Sequence, residues 1–194
     1  MNWITYIFVL FLALAVDASL EVVLKLHALG GIGPRFVPIM VVFAALFASR
    51  RSALWGAVVG GLLMDLSTPL PLPSGSLVYV PGPHALGCVA GVFLILQLRP
   101  LVFRGRALTI ASMVLASMIV MSLVVVTIYT IRSWYPAETV LYPTRLSAVQ
   151  EFARQLGVGV YSALIAVPFG WVLIQTGGLW GFPNAVSSRR LIRS

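Results

Sequence analysis

The sequence predicts an all-α integral membrane protein, folded as a bundle of six transmembrane helices. Three observations predict it: a composition dominated by apolar residues, six apolar runs near bilayer-spanning length, and arginines clustered beside those runs. Of 194 residues, 60% are hydrophobic and 9% are charged, against about 25% charged in an ordinary soluble domain. A soluble chain of this size would lack the polar surface to cover itself, and a mean hydropathy of +1.01 agrees. The net charge of +8 would suggest nucleic acid if it lay in a basic stripe interleaved with aromatics. It lies instead in short arginine clusters, the arrangement that sets membrane orientation, so nucleic-acid binding is not expected.

Crossing the hydrocarbon core takes about 20 residues. The first predicted span is 3–24. It has no lysine or arginine ahead of it, as a signal peptide should, so it reads as an uncleaved helix. The second, 34–49, is short, with Pro34 suited to the first helical position after Gly30-Gly31-Ile32-Gly33. The third is 52–70, expected to end near Pro69. The fourth is 84–98, the fifth 107–131 and the sixth 152–175. Two connections are longer than the rest: 67–83, with five prolines and no charge, and the polar 132–151. The whole chain, 1–194, reads as a single polytopic domain without a tandem repeat.

Orientation follows from the cations. With the N-terminus inside, the inner loops hold Arg50, Arg51, Arg99, Arg104, Arg106, Arg189, Arg190 and Arg193. The longer outer loops hold Lys25, Arg35, Arg132, Arg145 and Arg154. Both termini are therefore expected to be cytoplasmic. Trp3, Trp55, Trp134 and Trp180 fall near predicted helix ends, as an aromatic belt would; Trp171 does not. The lone Cys88 sits in an apolar run and reads as a small buried residue.

Small residues recur at four-residue spacing: Gly56 and Gly60 with Gly61 beside them, Gly87 and Gly91, and more weakly Ala44 and Ala48. Such spacing lets helix backbones approach closely in lipid. It serves packing within the chain or the docking of a partner helix.

Ionisable groups inside spans are costly and carry a functional hypothesis by default. Asp17, Glu21 and Lys25 share one helix face. Asp17 stands roughly 21 Å along the first helix from Trp3, and Asp65 roughly 20 Å along the third from Ser52, so both come out in the outer half of the membrane. The first row is either an ion pair reaching water at the helix end or the polar lining of an outward cavity or partner groove. Asp65 either accepts hydrogen bonds from loop amides, pairs with Lys25 or Arg35, or contacts a partner or ligand. His27 and His84 fall at outer ends without metal-site spacing, so neither metal nor cofactor is expected. There is no Walker A motif and no G-x-S-x-G elbow. Ser112, Ser117 and Ser122 lie on an apolar helix without a nearby base and are expected to bond their own helix or a neighbour. An enzyme is not expected.

The run Gly56-Ala57-Val58-Val59-Gly60-Gly61-Leu62-Leu63-Met64-Asp65 resembles the pattern of the bacterial rod shape-determining MreD family. In that family an apolar second span leads to a short basic loop and a glycine-rich helix ending in Leu-Leu-x-Asp. A turn rich in Pro, Gly and Ser follows, and then a Gly/His-Ala-Leu start to the fourth span. The corresponding parts here are Val37 to Ser49, Arg50-Arg51, Gly56 to Asp65, and Pro83-His84-Ala85-Leu86-Gly87. The motif match runs from Pro34 to about Gly91. Chain length and a C-terminal arginine cluster also fit. The connection 67–83, reading Pro69-Leu70-Pro71-Leu72-Pro73, departs by being longer than the family's tight turn.

The resemblance implies a non-enzymatic scaffold of the cell-elongation machinery in the bacterial cytoplasmic membrane. Such a protein binds the single-pass protein MreC, and through it helps link the MreB filament to peptidoglycan synthases. It also implies a fold similar to the substrate-binding subunits of energy-coupling-factor vitamin transporters. Gly56, Gly60, Gly61, Asp65, Asp17, Glu21, Gly87 and Gly91 are the partner-binding or structural candidates. A second reading makes the chain itself such a vitamin-binding subunit, which shares the helix count and the outward acids. A ligand pocket needs a few placed polar groups, and most spans here offer one or none.

Overall fold

The computed structural model describes residues 1–24, 32–71, 77–102, 106–132 and 148–181, and their side chains apart from 20–24, 70–71 and 132. The described residues form six α-helices: α1 (Trp3–Leu24), α2 (Phe36–Phe47), α3 (Arg50–Ser67), α4 (Pro83–Leu98), α5 (Ala107–Arg132) and α6 (Ala148–Gln175). A 3-10 turn, Thr176–Leu179, follows α6. Between α3 and α4 a short antiparallel ladder, β1 (Leu70–Pro71) and β2 (Leu77–Val78), pairs Leu70 with Val78 and Pro71 with Leu77. One of the prolines of that connection, Pro71, therefore sits in a two-stranded ladder, while Pro73 lies outside the described residues. Lys25, His27, Trp134, Arg145 and the C-terminal arginines lie outside the described residues, as does the side chain of Glu21.

Helix α2 is the axis of the fold. All of its residues from Phe36 to Leu46 are buried, enclosed by α1, α3, α4, α5 and α6. Such uniform burial needs a helix apolar on every side, and its sequence FVPIMVVFAALF supplies one. The other five helices pack around it and expose large apolar side chains outward. Ile4 is 82% exposed on α1, Leu108 71% on α5 and Leu164 65% on α6; Trp55 and Leu86 are also exposed on α3 and α4.

The described helices give the bundle two chemically different ends. At one end Asn2 N–H donates to Trp180 O at 2.9 Å, and Arg50 lies over the Phe93 ring at 6.0 Å. There Arg99, just past α4, donates to Ala48 O at 2.6 Å, a carbonyl that the end of α2 leaves unpaired. A cation at a helix C-terminus also matches the macrodipole. Replacing Arg99 by methionine is expected to lower the melting temperature by about 3–6 °C, for a charge-assisted bond worth about 1.5 kcal/mol. A thermal scan of the purified variant checks this. The opposite end gathers the carboxylates.

Several sequence expectations are corrected. The second helix starts at Phe36, not Pro34, because Arg35 is extended (φ −121°, ψ 120°). The proline of its first turn is Pro38, where a missing N–H costs nothing. The third helix runs from Arg50 to Ser67 rather than 52–70, with Ser49 Oγ accepting from Ser52 N–H at 3.3 Å as N-cap. Ahead of Pro69, the hydroxyls of Ser67 and Thr68 both donate to Met64 O. The sixth helix begins one turn earlier than expected, at Ala148. Trp180 is not part of an aromatic belt: it is 2% exposed, stacked edge-on against Phe43 with ring centroids 5.3 Å apart. Its indole N–H is satisfied by Thr176 at 3.1 Å. Cys88 is buried against Met121, and Ser112 and Ser122 bond carbonyls of their own helix.

Candidate functional site

The acids at the carboxylate end cap the helices that follow them. The N-cap residues of α2 and α4, Arg35 and Gly82, provide no side-chain cap of their own. The opening amides of a helix have no intrahelical acceptor, so a distant residue must serve. Asp65, on α3, does so for α4. Its Oδ2 accepts from Gly82 N–H at 2.7 Å and Ala85 N–H at 3.3 Å, and its Oδ1 accepts from His84 N–H at 3.0 Å. Pro83 has no N–H to satisfy. Gly82 reaches this geometry at φ 130°, a conformation a residue with a Cβ rarely adopts.

Asp17, on α1, treats α2 in the same way. Its Oδ1 accepts from Phe36 N–H at 2.6 Å and its Oδ2 from Val37 N–H at 3.3 Å. Ser162, from the middle of α6, accepts from Arg35 N–H at 2.9 Å, and Pro38 again has no donor. The two caps share one spacing: each aspartate meets amides 19 and 20 residues later. The α1–α2 and α3–α4 hairpins thus repeat one device, although the sequence shows no tandem repeat.

Asp65 also holds His84. Nδ1–H donates to Asp65 Oδ1 at 2.8 Å, while Nε2 faces Arg35 Nη1 at 3.4 Å. A guanidinium only donates, so Nε2 carries the lone pair and the proton sits on Nδ1. Asp65 is 2% exposed and His84 7%. Asp65 therefore accepts loop amides, as one sequence reading had it. It pairs with His84 rather than directly with Arg35, which is bonded through the imidazole.

Beside this chain lies a cavity of about 320 Å³. All six helices or their immediate flanks line it, among them Asp17 on α1, Arg35 ahead of α2, His84 on α4 and Tyr129 on α5. The first turns of α6 add Glu151, Arg154 and Gln155. Glu151 is 3% exposed and accepts from Gln155 Nε2 at 2.9 Å and from Arg154 at 3.3 and 3.4 Å. Asp17 thus lines a cavity, while the ion-pair reading of the Asp17-Glu21-Lys25 row falls on side chains outside the described residues. Glu21 belongs to α1, but its side chain lies outside the described residues.

The glycines pack against the chain itself, in line with the first of their two readings, packing within the chain. A Cβ on Gly56 would stand 3.0 Å from the Tyr6 hydroxyl, which donates to Gly56 O. One on Gly60 would meet Val41, one on Gly61 the backbone of His84 and Ala85, one on Gly87 Met121, and one on Gly91 Ser117. Close approach of α3 to α1, α2 and α4, and of α4 to α5, consumes all five positions. Sequence reasoning missed Ser162, Glu151, Arg154 and Gln155 as site residues, and weighed His84 for metal and as part of the resembling Pro83–Gly87 stretch but not as a partner of Asp65. The repeated spacing from an aspartate to a proline-marked helix start was the available signal for the caps. No protein-family model, curated protein or solved structure matches the chain.

Proposed function

We propose that all six helices lie in the bacterial cytoplasmic membrane with both termini cytoplasmic, and that the chain is a non-enzymatic scaffold of the cell-elongation machinery. Two helical stretches, Ala107–Ile131 and Ala148–Leu179, are long and apolar enough to cross a bilayer, with mean hydropathy 2.4 and 1.9. Apolar side chains facing outward from five helices support a lipid environment for the rest, since soluble proteins seldom expose large contiguous apolar patches. Helix α2, with 12 residues, is about 18 Å long and too short to span alone. A helix ending at membrane depth needs its terminal amides and carbonyls satisfied internally; Asp17, Ser162 and Arg99 do this.

The observation that carries the scaffold reading is the grip of Asp65 on Gly82, His84 and Ala85. It joins the Gly56–Asp65 run and the Pro83–Gly87 run, the two stretches that resemble the MreD family, into one folded unit. On this reading the partner is an MreC-like single-pass protein, linked through it to the MreB filament and elongation synthases. Native mass spectrometry of protein purified in mild detergent from its own host tests it. A co-purifying single-pass protein is the expected result, and its absence from repeated gentle preparations would remove the reading.

The cavity favours a second reading, a substrate-binding subunit of a vitamin transporter of the energy-coupling-factor type. It supplies the converging polar groups that the individual spans lack. A bound mass of a few hundred daltons without a protein partner would establish this reading over the first.

A further inference from the structure

Helix capping explains Asp17 and Asp65 but does not explain why Glu151, Arg154 and Gln155 line the same cavity. Of the acidic side chains the structure describes, Asp17 and Glu151 line this cavity, and Asp65 stands behind its His84 wall, outside the lining. The volume, about 320 Å³, falls within the ~300–1,000 Å³ of small-molecule sites. A void beside Val9 and Phe169 is about 50 Å³ with an almost wholly apolar lining, the sort that stays empty. The larger cavity alternates apolar wall (Leu14, Met64, Val125 and Val158) with polar groups from separate segments.

Two of those polar groups are only partly used. Gln155 is 7% exposed and makes one side-chain hydrogen bond among the described residues, donating Nε2 to Glu151 Oε1 at 2.9 Å. A carboxylate only accepts, so this bond fixes which amide atom is nitrogen. The amide oxygen remains an acceptor at the cavity wall. Arg154 spends Nε and Nη2 on Glu151, which leaves the two N–H groups of Nη1 as donors. One stretch of α6 thus offers a cationic donor pair beside a buried neutral acceptor. The lining itself carries two guanidiniums, Arg35 and Arg154, and two carboxylates, Asp17 and Glu151. A ligand with net charge would unbalance them beside the buried Glu151, which is costly; a zwitterion would not.

We propose that this cavity binds a small zwitterion of the free amino-acid class. Arg154 takes its carboxylate, and the Gln155 amide oxygen accepts from its ammonium. The site requires neither whole-chain reading above, because a scaffold can carry a ligand as readily as a transporter subunit can.

The test uses the full chain in detergent, with the twenty free amino acids as probes, each added singly. Melting scans find binders and calorimetry gives Kd. At least one amino acid with an uncharged side chain is expected to raise the melting temperature saturably, and its carboxamide derivative, lacking the carboxylate, to leave it unmoved. Gln155→Leu and Arg154→Leu are each expected to weaken Kd about tenfold, the size of one charge-assisted hydrogen bond, each read against that variant's own unliganded melting temperature, which the loss of a partner of the buried Glu151 lowers. The proposal is overturned if no amino acid shifts the melting temperature, or if Kd is unchanged in both variants. Co-purification of a single-pass protein, followed in the same Gln155→Leu preparation, reports separately on the scaffold reading.

Discussion

Replacing Asp65 by alanine is expected to lower the melting temperature by about 10–20 °C, or to prevent accumulation of folded protein. The carboxylate accepts from three backbone amides and from the His84 ring, at a position 2% exposed. Alanine leaves those donors without acceptor, and each stranded buried donor costs about 1–3 kcal/mol. Taking the low end for all four of them, with about 1 kcal/mol for the lost charge at a helix N-terminus, gives about 5 kcal/mol. A chain of this size loses about 2–4 °C per kcal/mol. Asp65→Asn retains one acceptor oxygen and should fall between wild type and Asp65→Ala. His84→Ala keeps the three backbone bonds and should be milder than Asp65→Ala. The Asp65→Ala/His84→Ala double variant should be less destabilised than the sum of the two, because both remove the same bond. Thermal scans of the set check the order. Additivity in the double variant, or His84→Ala as damaging as Asp65→Ala, would show that the cap is not the source of the effect.

The helix pattern was legible because burial in this chain is nearly one-dimensional: apolar runs bounded by Pro, Gly and Arg became helices within a few residues of expectation. The boundary errors arose where tertiary partners override local signals. Pro34 has the right neighbours for a helix start, yet Ser162, 127 residues away, holds Arg35 extended and delays the helix to Phe36. The candidate site was half legible. Asp17 and Asp65 stood out because a carboxylate in an apolar run demands a partner, but the partners are mostly backbone amides, which carry no sequence signature. Gln155 and Ser162 were invisible for the opposite reason: each is an ordinary polar residue on a helix until the fold turns it inward. The glycine spacing was correctly read as close approach. Which helix approaches is a property of the assembled bundle, and here the chain's own α1, α2, α4 and α5 occupy every such face.

That occupation separates the glycines of α3 by what they touch, and Gly61→Ala is expected to be the most damaging single-methyl change in the helix. A Cβ there would press on the Cα of Ala85, and lies 2.7 Å from both Ala85 N and His84 O. These are backbone atoms of the first turn of α4, held in place by Asp65 on the neighbouring turn of α3. Relief requires α3 and α4 to separate, which stretches the Gly82, His84 and Ala85 bonds together. Overpacking typically costs about 1–3 kcal/mol; with the cap strained as well, a loss of about 3–4 kcal/mol, or roughly 6–16 °C, is expected. Gly60→Ala meets a Val41 methyl at 2.7 Å, one side-chain atom rather than backbone, though stiff at χ1 in a helix, and Gly56→Ala meets the Tyr6 hydroxyl at 3.0 Å. Both are expected to cost less than half as much, with Gly56→Ala offset in part by the better helix propensity of alanine, worth about 1 kcal/mol. Melting temperatures of the three variants decide the matter. Equal losses at Gly60 and Gly61 would mean that α4 moves as easily as a valine methyl, and that the Asp65 cap does not fix the α3–α4 contact. The ordering Gly61, Gly60, Gly56 would show that the capped first turn of α4 is the rigid wall against which the glycine-rich face of α3 is built.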